Sequence, residues 1–263
     1  MKEILRLTNI VHRYHGRSGE TLAVDGLTMN VVEGEFYGIV GPSGSGKTTL
    51  LSILAGILTP SSGEIRRDIS PSETGYMLQR DHLFEWRTVE DNVTLGLEIR
   101  GIKTEENVDY ALSLARKYSL GDFLRKRPSE LSGGMRQRAA LIRTLALRPK
   151  LVLLDEPFSA LDFQTRLTVA EDVRRIIRQE GITAILVTHD ISEGIALCDR
   201  VAVLTKRPAR VKKVFDIPLP RERSSIERRE EKAFASLFRD IWKELEFTNE
   251  KEIGDQPATG GVS

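Results

Sequence analysis

The chain has 263 residues, of which 40% are hydrophobic, and this is enough apolar surface for a sizeable core. Its 39 basic and 38 acidic residues give a formal net charge of +1, so we expect no nucleic-acid partner. No apolar stretch approaches the roughly 18 residues that span a bilayer. Cys198 is the only cysteine, which excludes an internal disulfide and a thiolate metal cluster. The sequence therefore predicts a globular protein of the cytosol, unless a partner holds it at a membrane.

Two segments near the N-terminus, residues 5–10 and 27–31, alternate apolar and polar side chains, which is typical of half-buried antiparallel strands. Residues 16–20 are predicted to form the turn between them. Further strands are predicted at 75–78, 151–154, 184–187 and 201–204. The stretch 79–150 has apolar side chains at helical spacing and is predicted to be a helical insertion. Strands that alternate with helices predict an α/β fold with a doubly wound parallel sheet.

A phosphate-binding loop of the form G-x-x-x-x-G-K-[ST] lies between an apolar run at 37–40 and a helix-like run at 50–58, which residues 60–63 are expected to end. Its backbone N–H groups and the following helix N-terminus favour phosphate. Lys47 supplies a cation for the β- and γ-phosphates, and the Thr48 hydroxyl can ligate Mg²⁺. The nucleotide-binding residues predicted here are Gly41, Pro42, Ser43, Gly44, Ser45, Gly46, Lys47, Thr48 and Thr49.

Two further segments carry groups that a triphosphate site can use. The apolar strand 151–154 leads into Asp155, which can hold Mg²⁺ through water, and Glu156, which would stand at the γ-phosphate. Ser132, Gly133 and Gly134 open a helix and offer a second anion site. This second helix N-terminus that can bind an anion predicts a dimer in which each copy completes the nucleotide site of the other.

The C-terminal part changes character. Ser224 and Glu227 form a capping-box pattern. One helical face then carries an apolar stripe of Phe234, Leu237, Phe238, Ile241, Trp242 and Leu245. This stripe predicts a helix folded back on the domain, with a contact site for a partner as the alternative. Residues 248–263 are predicted to be a disordered tail.

Residues 131–137 resemble the signature of the ATP-binding cassette (ABC) ATPases, and the other motifs stand in that family's order over about residues 4–220. The resemblance implies a P-loop NTPase with a RecA-like core, an antiparallel β subdomain and a helical subdomain. It places the ABC ATPase domain at 1–220, with the helical subdomain at about 80–150, followed by a C-terminal helix at 221–247.

The resemblance also implies roles for single residues. Tyr14 resembles the aromatic that stacks on adenine, Gln79 the glutamine that senses Mg²⁺, and His189 the histidine that contacts the γ-phosphate. Glu156 would polarise the attacking water. Two copies would sandwich two ATP molecules, with the phosphate loop of one copy facing the signature of the other. The signature and cross-dimer residues are then Ser132, Gly133, Gly134, Gln137 and Asp162, and the Mg²⁺ residues are Thr48, Gln79 and Asp155.

Three segments, 83–93, 155–162 and 217–221, resemble the nitrate, sulfonate and taurine importer ATPases. This likeness implies a bacterial importer at the cytoplasmic face of the membrane, working with an extracytoplasmic solute-binding protein. Permease subunits would contact the surface at 79–93. Importers for a pyrimidine vitamin precursor carry similar cassettes and remain an alternative. The alternatives from other functional classes are a soluble ABC ATPase and a metabolic P-loop kinase.

Overall fold

The chain folds around two β-sheets. A computed structural model describes residues 2–16 and 19–250, the last four of these by backbone only. The smaller sheet is antiparallel with the order β2-β1-β4, formed by β1 (Glu3–Gly16), β2 (Gly19–Val32) and β4 (Ser62–Arg67). The larger sheet has the order β5-β6-β7-β3-β8-β9, formed by β3 (Phe36–Val40), β5 (Thr74–Met77), β6 (Leu151–Asp155), β7 (Thr183–Thr188), β8 (Arg200–Leu204) and β9 (Val211–Asp216). Its first five strands are parallel, and β9 runs antiparallel to β8.

The helices fall into three groups along the described chain. The phosphate loop is followed by α1 (Lys47–Leu54). The predicted insertion contains α2 (Val89–Ile99), α3 (Glu105–Lys117) and α4 (Gly133–Leu145). The remaining helices are α5 (Phe163–Gln179), α6 (Ile191–Leu197), α7 (Ser225–Arg229) and α8 (Lys232–Glu250). Within the described ranges, no helix is both long and apolar enough to cross a bilayer.

The central strands are apolar because both faces of the sheet are covered. Side chains of β6 alternate between two apolar clusters: Val152 and Leu154 pack among the helices, whereas Leu151 and Leu153 face the antiparallel sheet. Each such side chain contributes roughly 1.5–3 kcal/mol when fully buried. The neighbouring parallel strands β6, β7 and β3 end at the same edge, so the residues that follow them lie close together.

Both sheets and the helical insertion agree with the sequence prediction, but several elements differ. The first helix ends at Leu54, earlier than predicted, because Gly56 has a positive φ angle of 75° and the Ile57 N–H donates back to the Ser52 carbonyl at 2.9 Å. The Arg67 guanidinium also donates to the carbonyls of Ile53 and Leu54 at 2.8 Å. The predicted helix stop at 60–63 is therefore wrong, and its last two residues begin β4. The hairpin strands reach Gly16 and resume at Gly19, so the predicted turn is shorter, and its central residues 17 and 18 lie outside the described ranges.

The C-terminal helix is in fact two helices. The capping box at Ser224 and Glu227 is confirmed, but it begins the short α7. The apolar stripe belongs to α8, which folds back on the core as predicted: Ile241 is fully buried, and most of the stripe packs beside it. Trp242 is 48% exposed. Helix α8 continues to Glu250, which corrects the predicted start of the tail, and residues 251–263 lie outside the described part.

Candidate nucleotide site

The phosphate loop leaves the buried strand β3 and turns directly into α1. Gly44 and Gly46 have positive φ angles of 72° and 101°, which glycine adopts without strain. A Cβ on Gly46 would lie 2.8 Å from the Ala23 carbonyl oxygen, so no larger residue fits there. Ser45 is 1% exposed, and its Oγ is buried within the loop. These features give the loop the shape that phosphate cradling requires.

Lys47 is buried within the loop. Its Nζ donates to the carbonyl oxygens of Gly41 at 2.9 Å and Pro42 at 2.8 Å, and it lies 3.9 Å from Glu156 Oε1. Burial lowers the pKa of Lys47, and the carboxylates of Glu156 and Asp155 oppose that shift. The Lys47 cation is therefore held at the base of the loop, next to both acids.

Asp155 ends β6 and is 7% exposed. The Tyr76 hydroxyl donates to Asp155 Oδ2 at 3.2 Å. Desolvation raises the pKa of Asp155, while hydrogen bonds from Tyr76 and Thr48 oppose the rise. A carboxylate beside a hydroxyl supplies the hard oxygen atoms that Mg²⁺ prefers, because Mg²⁺ is usually held by one or two carboxylates together with substrate phosphates. The residues present thus fit this cation.

Glu156 has an unusual backbone conformation for a non-glycine residue, with a φ angle of 44°. Its N–H donates to the Val187 carbonyl at 2.9 Å, which ties it to β7. Its carboxylate lies between Lys47 and His189, with Oε2 3.1 Å from His189 Nδ1. Such strain persists only where the surroundings enforce it and is common at functional sites. Here it directs the carboxylate into the cleft beside the phosphate loop.

Gln79 is linked to the segment after Glu156. Its Nε2 donates to Ser159 Oγ at 3.2 Å, and Ser159 Oγ donates to the Glu156 carbonyl at 3.0 Å. Three residues beyond Ser159, Asp162 is exposed and begins α5 by accepting from the Thr165 N–H at 3.1 Å. Hydrogen bonds from Thr165 lower the pKa of Asp162. A displacement of Gln79 would therefore shift the segment that carries Glu156 and Asp162.

Tyr14 lies at the other end of the loop. Its ring is 42% exposed and packs edge-on against His12, with centroids 4.7 Å apart. Its hydroxyl is 3.1 Å from Thr49 Oγ1. The structure thus places a half-exposed Tyr14 beside the phosphate loop, and its stacking role stays a prediction.

Most of these groups line an open cleft of about 440 Å³, whereas His189 and Asp162 are not among its lining residues. Its lining residues are Tyr14, Ala23, Ser43, Gly44, Gly46, Lys47, Thr48, Thr49, Gln79, Asp155, Glu156 and Arg207. The sequence prediction missed Arg207. It follows β8, which is distant in sequence from the phosphate loop but lies beside β3 in the sheet. No motif marks this position, and only the strand order brings it to the cleft.

The signature segment is not part of this cleft in the same chain. Ser132 begins α4, and its Oγ accepts from the Met135 N–H at 3.3 Å. Ser132 and Gly133 are exposed, whereas Gly134 packs so closely that a Cβ would lie 2.8 Å from Val169. Gln137 is 3% exposed, so the structure does not place its side chain on the exposed face with Ser132, contrary to the predicted nucleotide contact.

The arrangement around the cleft follows from the sheet. Strand β3 leads into the phosphate loop with Lys47, and the adjacent β7 is followed by His189. Beyond β7, strand β6 ends at Asp155 and is followed by Glu156. A phosphate cradle with a cation, a metal-compatible carboxylate and a second carboxylate beside the cation defines a P-loop nucleoside triphosphatase.

The sequence profile of the ABC transporter family matches residues 24–159, and the chain belongs to that family. An uncharacterized ABC transporter ATP-binding protein of Bacillus subtilis, YtlC, is 46% identical over 92% of this chain and 95% of its own length. The nitrate import ATP-binding protein NrtD of Synechocystis is 39% identical over 82% of this chain and 83% of its own.

A solved structure of the dimeric ATP-binding cassette MJ0796, in a post-hydrolysis state bound to ADP and Pi, matches with a TM-score of 0.67. It is 29% identical, and the match covers 81% of this chain and 99% of that one. The predicted P-loop ABC ATPase fold is therefore confirmed, and the chain is an ATP-hydrolysing ABC transporter subunit. The alternative that the chain is a metabolic P-loop kinase is excluded.

Proposed function

We propose that this cassette is the ATPase subunit of a bacterial importer for a small solute such as nitrate, an alkanesulfonate or taurine. The observation that carries the proposal is an exposed aromatic pair on a rigidly held loop. This loop lies between the nucleotide cleft and the signature helix α4, so it is suited to transmit the state of the nucleotide to membrane subunits.

The aromatic pair consists of Phe84 and Trp86. Trp86 is 72% exposed, and its ring stacks on Phe84 with centroids 4.7 Å apart and an interplanar angle of 24°. A large aromatic side chain in water is unfavourable unless a partner covers it, and Trp is the residue type that most often anchors protein interfaces. The pair therefore supports a contact of this surface with permease subunits.

The loop that carries Trp86 is held from beneath by Asn92, which is fully buried. Asn92 Oδ1 accepts from the Phe84 N–H at 2.8 Å, and Nδ2 donates to the carbonyls of Phe84 at 3.1 Å and Thr88 at 2.9 Å. Thr88 in turn begins α2 with a capping box. The exposed rings thus project from a fixed backbone, which reduces the entropy lost on binding a partner.

Two arginines of α4 connect this segment to the signature. Arg136 donates to Asp81 Oδ2 at 2.9 Å and to Glu85 Oε1 at 2.8 Å. Arg143 donates to the carbonyls of Asp81 and His82, both at 2.7 Å. The segment after Gln79 is therefore fastened to the signature helix, and a shift of either could move the other.

The working unit we propose is a homodimer with two shared ATP sites. Ser132 and Gly133 are exposed at the start of α4 and stand outside their own cleft, so they are free to meet the cleft of a second copy. The dimeric state of MJ0796 supports this arrangement. Asp162, exposed at the start of α5, would act across the same interface.

Within each site we assign the hydrolytic step to Glu156 and His189. Glu156 would accept a hydrogen bond from the attacking water and orient it toward the γ-phosphate, while His189 holds the carboxylate and contacts the phosphate. Thr48 and Asp155, with Gln79, would hold Mg²⁺, which neutralises charge on the phosphates when bound. Lys47 and the loop N–H groups would position the β- and γ-phosphates, and Tyr14 would stack on the base.

This function places the protein at the cytoplasmic face of the membrane as a peripheral subunit, together with permease subunits and an extracytoplasmic solute-binding protein. The choice among these solutes rests on the likeness to the nitrate import protein NrtD. ATP-driven uptake can be measured in vesicles that contain the cassette and its permease subunits. We expect uptake of labelled nitrate, sulfonate or taurine. Uptake of a pyrimidine precursor instead would assign the cassette to the alternative importer class.

The surface contact is tested separately with Trp86→Ala. We expect the variant to lose assembly with the permease while its basal ATPase rate stays close to that of the wild type. Ile99→Ala is a matched control, because Ile99 is 76% exposed and lies at the far end of α2. Normal assembly of Trp86→Ala would place the permease contact elsewhere, and loss of folding would show that Trp86 is structural.

A further inference from the structure

We propose that Arg207 binds the phosphate chain of the nucleotide, as a second cation beside Lys47. This inference deepens the nucleotide site described above and rests on it. Arg207 belongs to none of the motifs that the sequence indicated, and it reaches the cleft from the loop between β8 and β9.

The position of Arg207 carries the first part of the argument. Among the described residues that line the cleft, Lys47 and Arg207 are the two with positively charged side chains. Arg207 Nη2 lies 4.0 Å from the point where a Cβ on Gly44 would stand, so the guanidinium borders the crest of the phosphate loop. A phosphate cradled by the backbone N–H groups of this crest would lie within reach of it.

The charge balance of the cleft supports a second cation. Lys47 faces two carboxylates, Asp155 and Glu156, and Glu156 lies 3.9 Å from its Nζ. A triphosphate brings several further negative charges into this space. One buried ammonium together with a bound Mg²⁺ would still leave part of this charge uncompensated in the presence of both carboxylates, and a guanidinium at the rim would oppose that excess.

The backbone around Arg207 is fixed. Thr205 Oγ1 donates to the Pro208 carbonyl at 2.8 Å, and the Thr205 N–H donates to the Arg210 carbonyl at 3.0 Å. The Ala209 N–H donates to the Ala23 carbonyl at 2.8 Å, which attaches the loop to β2. Gly46 of the phosphate loop packs against this same junction of Ala23 and Ala209. The loop is therefore held in register with the cradle.

The guanidinium itself has no hydrogen-bond or ion-pair partner among the residues whose side chains the structure describes, 2–16 and 19–246, and Arg207 is exposed. Its neighbour Arg210 differs, because Arg210 Nε donates to Asp25 Oδ2 at 3.0 Å and this pair fastens the loop. A guanidinium with unoccupied donors on a fixed backbone suits bidentate binding of a phosphate, because less conformational freedom is lost on binding.

The test measures binding of ADP, ATP and inorganic tripolyphosphate to the wild type, Arg207→Ala and Arg207→Lys. Exposure weakens a charge-assisted contact, so we expect Arg207→Ala to bind ADP and tripolyphosphate about three- to thirty-fold more weakly. Arg207→Lys should recover part of this loss, because it keeps the charge without the fork. Arg239→Ala is the control, since Arg239 is an exposed arginine on α8 outside the cleft lining.

Each other outcome overturns a defined part of the proposal. Unchanged ADP affinity in Arg207→Ala, with the wild type binding normally, refutes the role of Arg207 alone. Weaker ADP binding with unchanged tripolyphosphate binding would move the contact to the base or ribose. Loss of ATP-dependent dimerisation with normal ADP binding would make Arg207 an interface residue. A wild-type protein that binds none of the three ligands would instead overturn the nucleotide site itself.

Discussion

Asn92 holds the loop that presents Trp86, and its replacement by alanine tests that role. The change removes an acceptor for the Phe84 N–H and donors for the Phe84, Arg87 and Thr88 carbonyls, at 2.8–3.4 Å. Each bond is worth roughly 0.5–1.5 kcal/mol, and leaving buried partners unsatisfied adds to the loss. We expect the free energy of unfolding to fall by about 2–4 kcal/mol. The corresponding fall in Tm is roughly 4–12 °C for a chain of this length.

Thermal unfolding followed by circular dichroism measures this loss, with Asn107→Ala as the control. Asn107 makes a single side-chain bond to a backbone carbonyl, from Nδ2 to Ile102 at 2.9 Å, near the surface. Its loss should cost at most about 1 kcal/mol. We also expect Asn92→Ala to weaken permease assembly, because the loop under Trp86 loses its support. An Asn92→Ala variant as stable as Asn107→Ala, with normal assembly, would refute the argument that Asn92 fixes this surface.

Three further variants test the site. Glu156→Gln keeps the shape but removes the carboxylate that orients water, so the ATPase rate should fall about 10²–10⁴-fold while ATP binding persists; a wild-type rate would disprove the assignment. Lys47→Ala should lose ATP binding in a calorimetric titration, and unchanged affinity would contradict its role. Asp155→Asn should lose Mg²⁺-dependent ATPase activity yet raise the Tm of the nucleotide-free protein at neutral pH. Because the folded pKa of Asp155 is raised, its ionised form opposes folding above its ordinary pKa, and the amide removes that penalty.

The sequence predicts those parts of the site that lie in short continuous segments. The phosphate loop at 41–49 and the acids after β6 are each contained in one segment, so residue spacing alone indicates their chemistry. The apolar runs 151–154 and 184–187 likewise predict the buried strands β6 and β7. The roles of the individual residues remain predictions that the variants above address.

The parts that the sequence does not reveal depend on distant contacts. Strands β4 and β9 are half-exposed and carry charged side chains, so no apolar run marks them. The early end of α1 is local instead, because Gly56 has a positive φ angle and the Ile57 N–H donates to the Ser52 carbonyl, so the prediction overlooked a helix-ending glycine. Arg207 joins the cleft because β8 pairs with β3, a pairing that local periodicity does not contain. Gln137 follows the signature pattern, but the helix phase turns its side chain into the interior.

The central claim is that two copies of this chain share nucleotide through the exposed start of α4. Size-exclusion chromatography with light scattering tests it directly, using Glu156→Gln to retain ATP and the double variant Glu156→Gln with Ser132→Arg. We predict that ATP converts the first from one chain to two, whereas the double variant stays a single chain but still binds ATP. A Glu156→Gln protein that stays monomeric with ATP bound, or a double variant that dimerises equally well, would contradict the account.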